Sequence, residues 1–280
     1  MRKRYLWQLP GAGDAAEQGA AQRRERDLLQ RVRADAVQAA GVSGPNFMGW
    51  KANCILITNR EDGRLEPEPL HDTKRAIELA RQLGLGRVRP VVQQHNCFMV
   101  YPKRLCIGAY EHGAVISFPV DPAKLFQHPR GGHPLLSVGE YFDPGSKQTA
   151  RLLNAFPAAR ILCLILHSAV NQFGYAVYEK RQLIRARIGD LDYGVFVDEG
   201  TMLPEEEPLF AQSIIRDGKR VFILRDPRGE ADEYVDDQVG ENFVFALSRR
   251  FFGSRLDEDS PDEKLTAEEF ERAPWLSFWK

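Results

Sequence analysis

The stretch Ile161-Leu-Cys-Leu-Ile-Leu-His167-Ser168-Ala-Val-Asn171 decides the fold, because it places an apolar run directly before several polar residues. A continuous apolar run of this length is typical of a strand buried on both faces, and it is far too short to cross a bilayer. We therefore expect a buried strand here. His167, Ser168 and Asn171 should lie at or just beyond its carboxyl end.

Further strand and helix patterns extend outward from this strand in both directions. Apolar segments bounded by turn residues predict strands at 54–58, 91–101, 104–110, 114–118, 173–178, 183–188, 193–198 and 220–225. Capping residues and apolar periodicity predict helices at 72–84, 146–156 and 241–252, and a capping-box pattern at 266–269 predicts a last short helix. The strands between 91 and 118 should form an antiparallel meander. Together these patterns predict an α/β protein with a mixed, partly antiparallel central sheet and flanking helices.

Glycine and proline suggest how the chain is divided. Residues 1–49 form an Ala- and Arg-rich N-terminal extension with helical spacing, and residues 50–280 form the α/β body. Within the body, residues 50–118 and 146–252 are expected to build two sublayers. The Pro- and Gly-rich segment 119–145 is interpreted as a long loop that joins them.

Composition excludes several classes of protein. Charged residues make up 28% of the chain and the net charge is −1, so the whole-chain charge gives no reason to expect a nucleic-acid or membrane partner. Cys54, Cys97, Cys106 and Cys163 lie in apolar segments without a CxxC pair, which favours buried, reduced thiols. We expect a soluble cytoplasmic protein whose partner is a small molecule or another protein.

The candidate binding residues are His167, Ser168, Asn171 and Glu205. Ligands of open α/β sheets bind beyond the carboxyl ends of strands, which favours the first three. Glu205 begins an acidic run, 205–207, that could take part in acid/base or cation chemistry. The structural interpretation is favoured over the functional one, since a His-Ser pair often satisfies backbone groups and acids at a helix start are usually solvated.

Recognisable catalytic and ligand motifs are missing. The six histidines are scattered, and the chain has no HExxH, no GxSxG and no phosphate-binding glycine loop. We therefore expect neither a metal nor a cofactor. The favoured function is an intracellular binding or interaction protein without a catalytic motif, and the alternative is a hydrolase-like enzyme with a dispersed site near His167 and Ser168.

Residues 160–210 also resemble a bacterial family known only as a domain of unknown function. The residues that carry the resemblance are His167-Ser168, Phe173, Ala176-Val177, Leu183, Arg185 and Pro204-Glu205. The resemblance implies an α/β fold. It implies no activity and assigns no catalytic residue.

Overall fold

The computed structural model describes residues 50–65, 69–86, 88–95, 104–119, 141–168, 171–191, 193–225, 231–259 and 264–272. All of them belong to one compact unit, Gly49–Lys280. The expected helical extension 1–49, most of the expected loop 119–145 and Cys97 lie outside the described residues.

The described residues form twelve strands, five α-helices and a 3₁₀ turn. The strands are β1 (Lys51–Thr58), β2 (Val88–His95), β3 (Leu105–Tyr110), β4 (Gly113–Ser117), β5 (Arg160–His167), β6 (Gln172–Glu179), β7 (Gln182–Asp190), β8 (Gly194–Gly200), β9 (Ser213–Arg216), β10 (Lys219–Arg225), β11 (Ala231–Val235) and β12 (Thr266–Arg272). The helices are α1 (Thr73–Gln82), α2 (Lys147–Ala155), α3 (Glu207–Phe210), α4 (Gly240–Phe252) and α5 (Leu256–Asp259), and the 3₁₀ turn is Asp236–Val239.

Nine of these strands form one central sheet in the order β2-β12-β3-β4-β1-β5-β6-β7-β8. Every described pairing in it is antiparallel. The expectation of a mixed sheet is therefore corrected to an antiparallel one, and the chain is richer in sheet than a balanced α/β protein. For four of the eight pairings the physical reason is local, because short turns join β3 to β4 and β5 through β8, and a short turn reverses the strand direction.

The segment Thr266–Arg272 corrects two expectations at once. It was expected to begin a helix, but it is strand β12, and it lies between β2 and β3. The upstream strands therefore do not form a meander of sequence neighbours. A capping-box pattern records only a local preference, whereas pairing on both sides supplies β12 with main-chain hydrogen bonds to two strands.

Alternating side chains give the sheet two buried faces. On β5, Ile161 and Cys163 join the core on the first face, while Leu162 and Leu164 join the core on the second. Helices α1 and α2 cover the first face, and α4 covers the second. The result is a sheet with helices packed on both sides.

The covering helices follow their sequence patterns closely. Asp72 caps α1, Ser146 caps α2 and Gly253 ends α4 with φ of 83°, as expected. The apolar spacing of Phe243, Val244, Leu247 and Phe251 predicts the buried face of α4, and all four are buried. The pattern of α1 predicts that Ile77 is buried together with Ala76, Ala80 and Leu83, but Ile77 is 38% exposed and Leu79 is buried instead.

The three described cysteines, Cys54, Cys106 and Cys163, are buried thiols, as the sequence predicted. Burial raises the pKa of the Cys163 thiol far above its ordinary value, so this thiol is unreactive. In the part of the chain that the structure describes, no helix is long and apolar enough to span a membrane.

The remaining strands form a small sheet in the order β11-β10-β9. Its β9–β10 turn is Asp217-Gly218, with φ of 51° and 74°, which is the conformation of a two-residue hairpin turn. Phe222 on its inner side is fully buried, with ring centroids 5.9 Å from Phe210 and 5.8 Å from Phe243. The small sheet is therefore packed onto the second face. The acidic cluster after β10, which includes Asp232, Glu233, Asp236 and Asp237, is interpreted from the sequence as a loop, but the structure places β11 and the 3₁₀ turn there.

Candidate functional site

His167 is the last residue of β5, with Lys51 of β1 and Gln172 of β6 as its direct cross-strand neighbours. Its side chain is buried at this end of the sheet. Burial lowers the pKa of the imidazole, and the positive charge of Lys51 lowers it further. His167 is therefore neutral at pH 7.

The neighbours of His167 make structural contacts. The Ser168 main-chain N–H and hydroxyl both donate to the Trp50 carbonyl, at 3.0 and 3.2 Å. Asn171 adopts φ of 49° in the turn before β6, and its amide side chain donates to the Asp237 carboxylate. Burial raises the pKa of that carboxyl group. The structure thus brings His167, Ser168 and Asn171 to one end of the sheet, where Ser168 binds the Trp50 carbonyl and Asn171 binds the Asp237 carboxylate.

Glu205 lies elsewhere. Its carboxylate accepts two hydrogen bonds from Arg250, at 2.9 and 3.0 Å, and Arg250 also binds Glu179 at 3.0 Å. Glu179 pairs with Arg160 at the far end of the β5–β6 hairpin from His167. The two ends of an eight-residue strand are about 20 Å apart. Glu205 therefore does not share a site with the other three candidates.

Sequence reasoning missed a group of ionic side chains on the second face, which we call the buried ion cluster. Its members are Tyr175, Arg185, Arg187, Asp198, Glu206 and Asp236. Glu206 is fully buried. It accepts hydrogen bonds from the Tyr175 hydroxyl at 2.6 Å, from the Leu203 N–H at 2.7 Å and from Arg185 Nε at 2.9 Å. Burial, followed by the nearby Glu206 carboxylate, raises the pKa of Tyr175.

Arg187 forms the other half of the cluster and is only 1% exposed. Its guanidinium binds Asp198 on β8 and lies 2.6 Å from the Asp236 carboxylate on the 3₁₀ turn. The same group lies 5.2 Å from the ring centroids of Phe210 and Phe243. Burial raises the pKa of Asp236, and the charge of Arg187 opposes this. The cluster therefore ties the small sheet to the central sheet.

A partial signal for the cluster exists in the sequence. Arg185 and Arg187 alternate with apolar residues in the middle of β7, so both face the same side of a strand whose neighbouring residues Leu183, Ile184, Ala186 and Ile188 are apolar. Glu206 carries no such signal. It is the middle of three consecutive glutamates that the sequence does not distinguish by burial, and only the fold shows that Glu206 is buried while Glu207 is exposed.

The small sheet presents a second candidate surface, which we call the outer face. Strand register places these residues on it: Ile214, Arg216, Lys219, Val221, Ile223, Glu233 and Val235. Ile214, Val221 and Val235 lie side by side in one row across the three strands. Ile214 is 41% exposed and Val235 is 42% exposed. The outer face is thus an exposed apolar row on an ordered sheet.

The remaining histidines do not build a metal site in the described part of the chain. His71 Nδ1 accepts a hydrogen bond from the Ala109 N–H at 3.2 Å, and its Nε2 lies 3.6 Å from the Glu268 carboxylate. This pair joins the segment before α1 to β3 and β12, which is a structural role. Within the described ranges, no group of three or more His, Cys, Asp or Glu side chains could hold a metal ion. His128, His133 and the side chain of His95 lie outside the described residues.

The fold and the site define an antiparallel-sheet protein with helices on both faces and a small second sheet. Residues 137–270 match the model of a family of unknown function, DUF6928. This match includes β5 to β11, α4, the buried ion cluster and the outer face. No curated protein and no solved structure matches the chain. The resemblance to an uncharacterised domain family is therefore confirmed, and it assigns no activity to any residue.

Proposed function

We propose that this protein acts by binding another protein rather than by catalysis, and that the outer face is its recognition surface. The observation that supports the proposal is the row Ile214–Val221–Val235, whose two outer members are each more than two-fifths exposed. An apolar patch on an ordered surface, rimmed by charged residues, is typical of a protein-interaction site.

The attachment of the small sheet also supports this proposal. Arg187 of the central sheet binds Asp236, which directly follows β11, and Phe222 of β10 is buried between the two sheets. These contacts hold the outer face in one conformation. A pre-formed surface loses little conformational entropy on binding, so more of the contact energy appears as affinity.

The contacts near His167 support an enzyme with a site at His167 and Ser168 less well than the outer face supports protein binding. Catalysis by a Ser-His pair needs a serine hydroxyl that can donate its proton to the imidazole, but the Ser168 hydroxyl donates to the Trp50 carbonyl. One described cavity is also small for a ligand site. The cavity beside Tyr110 and His112 measures about 160 Å³ including its opening, below the about 300 Å³ at which ligand pockets usually begin.

Site-specific photocrosslinking tests the proposed surface. We expect benzoylphenylalanine at position 235 to form a covalent adduct with another polypeptide in the cells that make the protein. The adduct should disappear when Ile214→Asp is added, because binding would then require an unpaired aspartate carboxylate to lose its water within the apolar contact. The control places the same probe at Lys74, an exposed position on α1. Equal adduct formation at both positions, or none at 235, would reject the proposal.

A separate prediction concerns His167. Its pKa is lowered in the folded state, whereas an unfolded histidine titrates near about 6.5. On acidification the unfolded chain therefore takes up the proton first, and the free energy of unfolding should fall between the unfolded pKa and the lower folded pKa. His167→Gln should flatten this part of the stability profile.

Urea denaturation at a series of pH values measures the effect. The variant His112→Gln is the control, because His112 is exposed and should leave the profile unchanged. Parallel profiles for wild type and His167→Gln would show that His167 does not titrate with a lowered pKa.

A further inference from the structure

The charges of the outer face are arranged around its apolar row. Arg216 lies on β9 beside the turn, and Glu233 lies on β11 on the other side of the row. Their side chains meet diagonally across Val221 through two hydrogen bonds of 2.6 and 2.9 Å. Both side chains are about half exposed. The outer face therefore carries a positive corner and a negative corner on opposite sides of an apolar centre.

This arrangement is complementary to itself. A two-fold axis in the plane of the face, perpendicular to the Arg216–Glu233 diagonal, places each arginine over the glutamate of a second copy. The same axis brings Val221 against its equivalent, and it keeps like charges apart. Such an interface is isologous, with the same surface used by both subunits.

We infer that the partner bound by the outer face is a second copy of this chain, an inference that rests on the proposed function. In the monomer, the Arg216–Glu233 pair is exposed and bridges its own apolar row. In the dimer, the two side chains exchange partners, so that two pairs form between the copies and the row between them is buried. Each Arg216 and each Glu233 keeps a partner of opposite charge when the pairs are exchanged. The dimer therefore avoids the free-energy cost of burying either side chain without a counter-charge.

Charge reversal tests this interface. Arg216→Glu opposes two glutamates at each contact between the copies, and Glu233→Arg opposes two arginines, so each variant alone should dimerise at least about tenfold more weakly than wild type. An equimolar mixture of the two variants should recover the dimer, because every opposed pair is again of opposite sign. Sedimentation equilibrium over a concentration series measures all four samples.

The controls separate folding from association. Circular dichroism should show that both variants retain the wild-type fold, since the ion pair they remove is exposed. A wild type that stays at 31.8 kDa at every concentration would overturn the inference. So would a dimer that neither variant weakens, or a mixture that fails to recover it.

The crosslink at position 235 distinguishes failure of this inference from failure of the proposed function. An adduct of twice 31.8 kDa that contains only this chain supports the second copy. An adduct with a different polypeptide, together with a monomeric wild type, leaves the proposed function standing and rejects the dimer. Absence of any adduct above the Lys74 control rejects both.

Discussion

Glu206→Ala should destabilise the protein by about 3–5 kcal/mol, because it removes the fully buried partner of a buried cation. Arg185 would lose the fully buried carboxylate that accepts from its Nε, and only the half-exposed Asp198 would remain as its counter-charge. The Tyr175 hydroxyl and the Leu203 N–H would lose their acceptor in the same step. An unpaired buried donor carries the full cost of its desolvation.

Equilibrium urea denaturation measures this loss. Glu207→Ala is the matched control, because Glu207 is the next residue in the chain and is exposed. It should change the free energy of unfolding little. If Glu206→Ala unfolds the protein outright, Glu206→Gln keeps one carbonyl acceptor and should show a smaller loss in the same direction. A Glu206→Ala midpoint equal to that of Glu207→Ala would contradict the role assigned to the cluster.

Arg187→Ala should lower the free energy of unfolding by about 3 kcal/mol, near the lower end of the loss measured when a buried ion pair is broken. The carboxylates of Asp198 and Asp236 would lose their shared cation. The loss is moderated because Asp198 is half exposed and water can solvate it. Phe210 and Phe243 would lose the guanidinium that packs against both rings.

The position of Arg187 predicts a further consequence for the small sheet. Since Asp236 directly follows β11, the variant should loosen the small sheet before the central sheet unfolds. Hydrogen exchange should therefore speed up in β10 and β11 more than in β5 and β6. The matched control is Arg81→Ala on α1, which breaks an exposed ion pair with Glu78 and should leave stability and the exchange of both sheets unchanged. Uniform acceleration across both sheets would argue against a local anchoring role.

The sequence predicted the elements whose pattern is local. The apolar run of β5, the hairpins that follow it and the amphipathic face of α4 were all anticipated, because each depends on neighbours within about ten residues. The edge of α1 was misjudged at Ile77 and Leu79, where a small rotation of the helix decides which side chain is buried.

The candidate site was predicted less completely. His167, Ser168 and Asn171 were placed together because they follow one strand, and the structure does bring them together. Glu205 could not be placed, since its distance from His167 depends on where Arg250 of α4 meets the hairpin. Likewise the outer face needs the register of three strands, of which β9 and β11 carry only short, weak patterns.

What the sequence determined by itself is the set of strands, turns and caps that short-range sterics and apolar periodicity impose. Only the tertiary structure decided that Thr266–Arg272 is a strand, that Glu206 is buried between two exposed or half-buried glutamates, and that Arg216 meets Glu233 across Val221. The physical reason is that ladder pairing and desolvation depend on residues distant in the chain. The local helix pattern at residue 266 contains no information about β2 and β3, the two strands with which β12 pairs. Glu205, Glu206 and Glu207 have identical side chains, so only the residues that pack around each of them decide which one is buried.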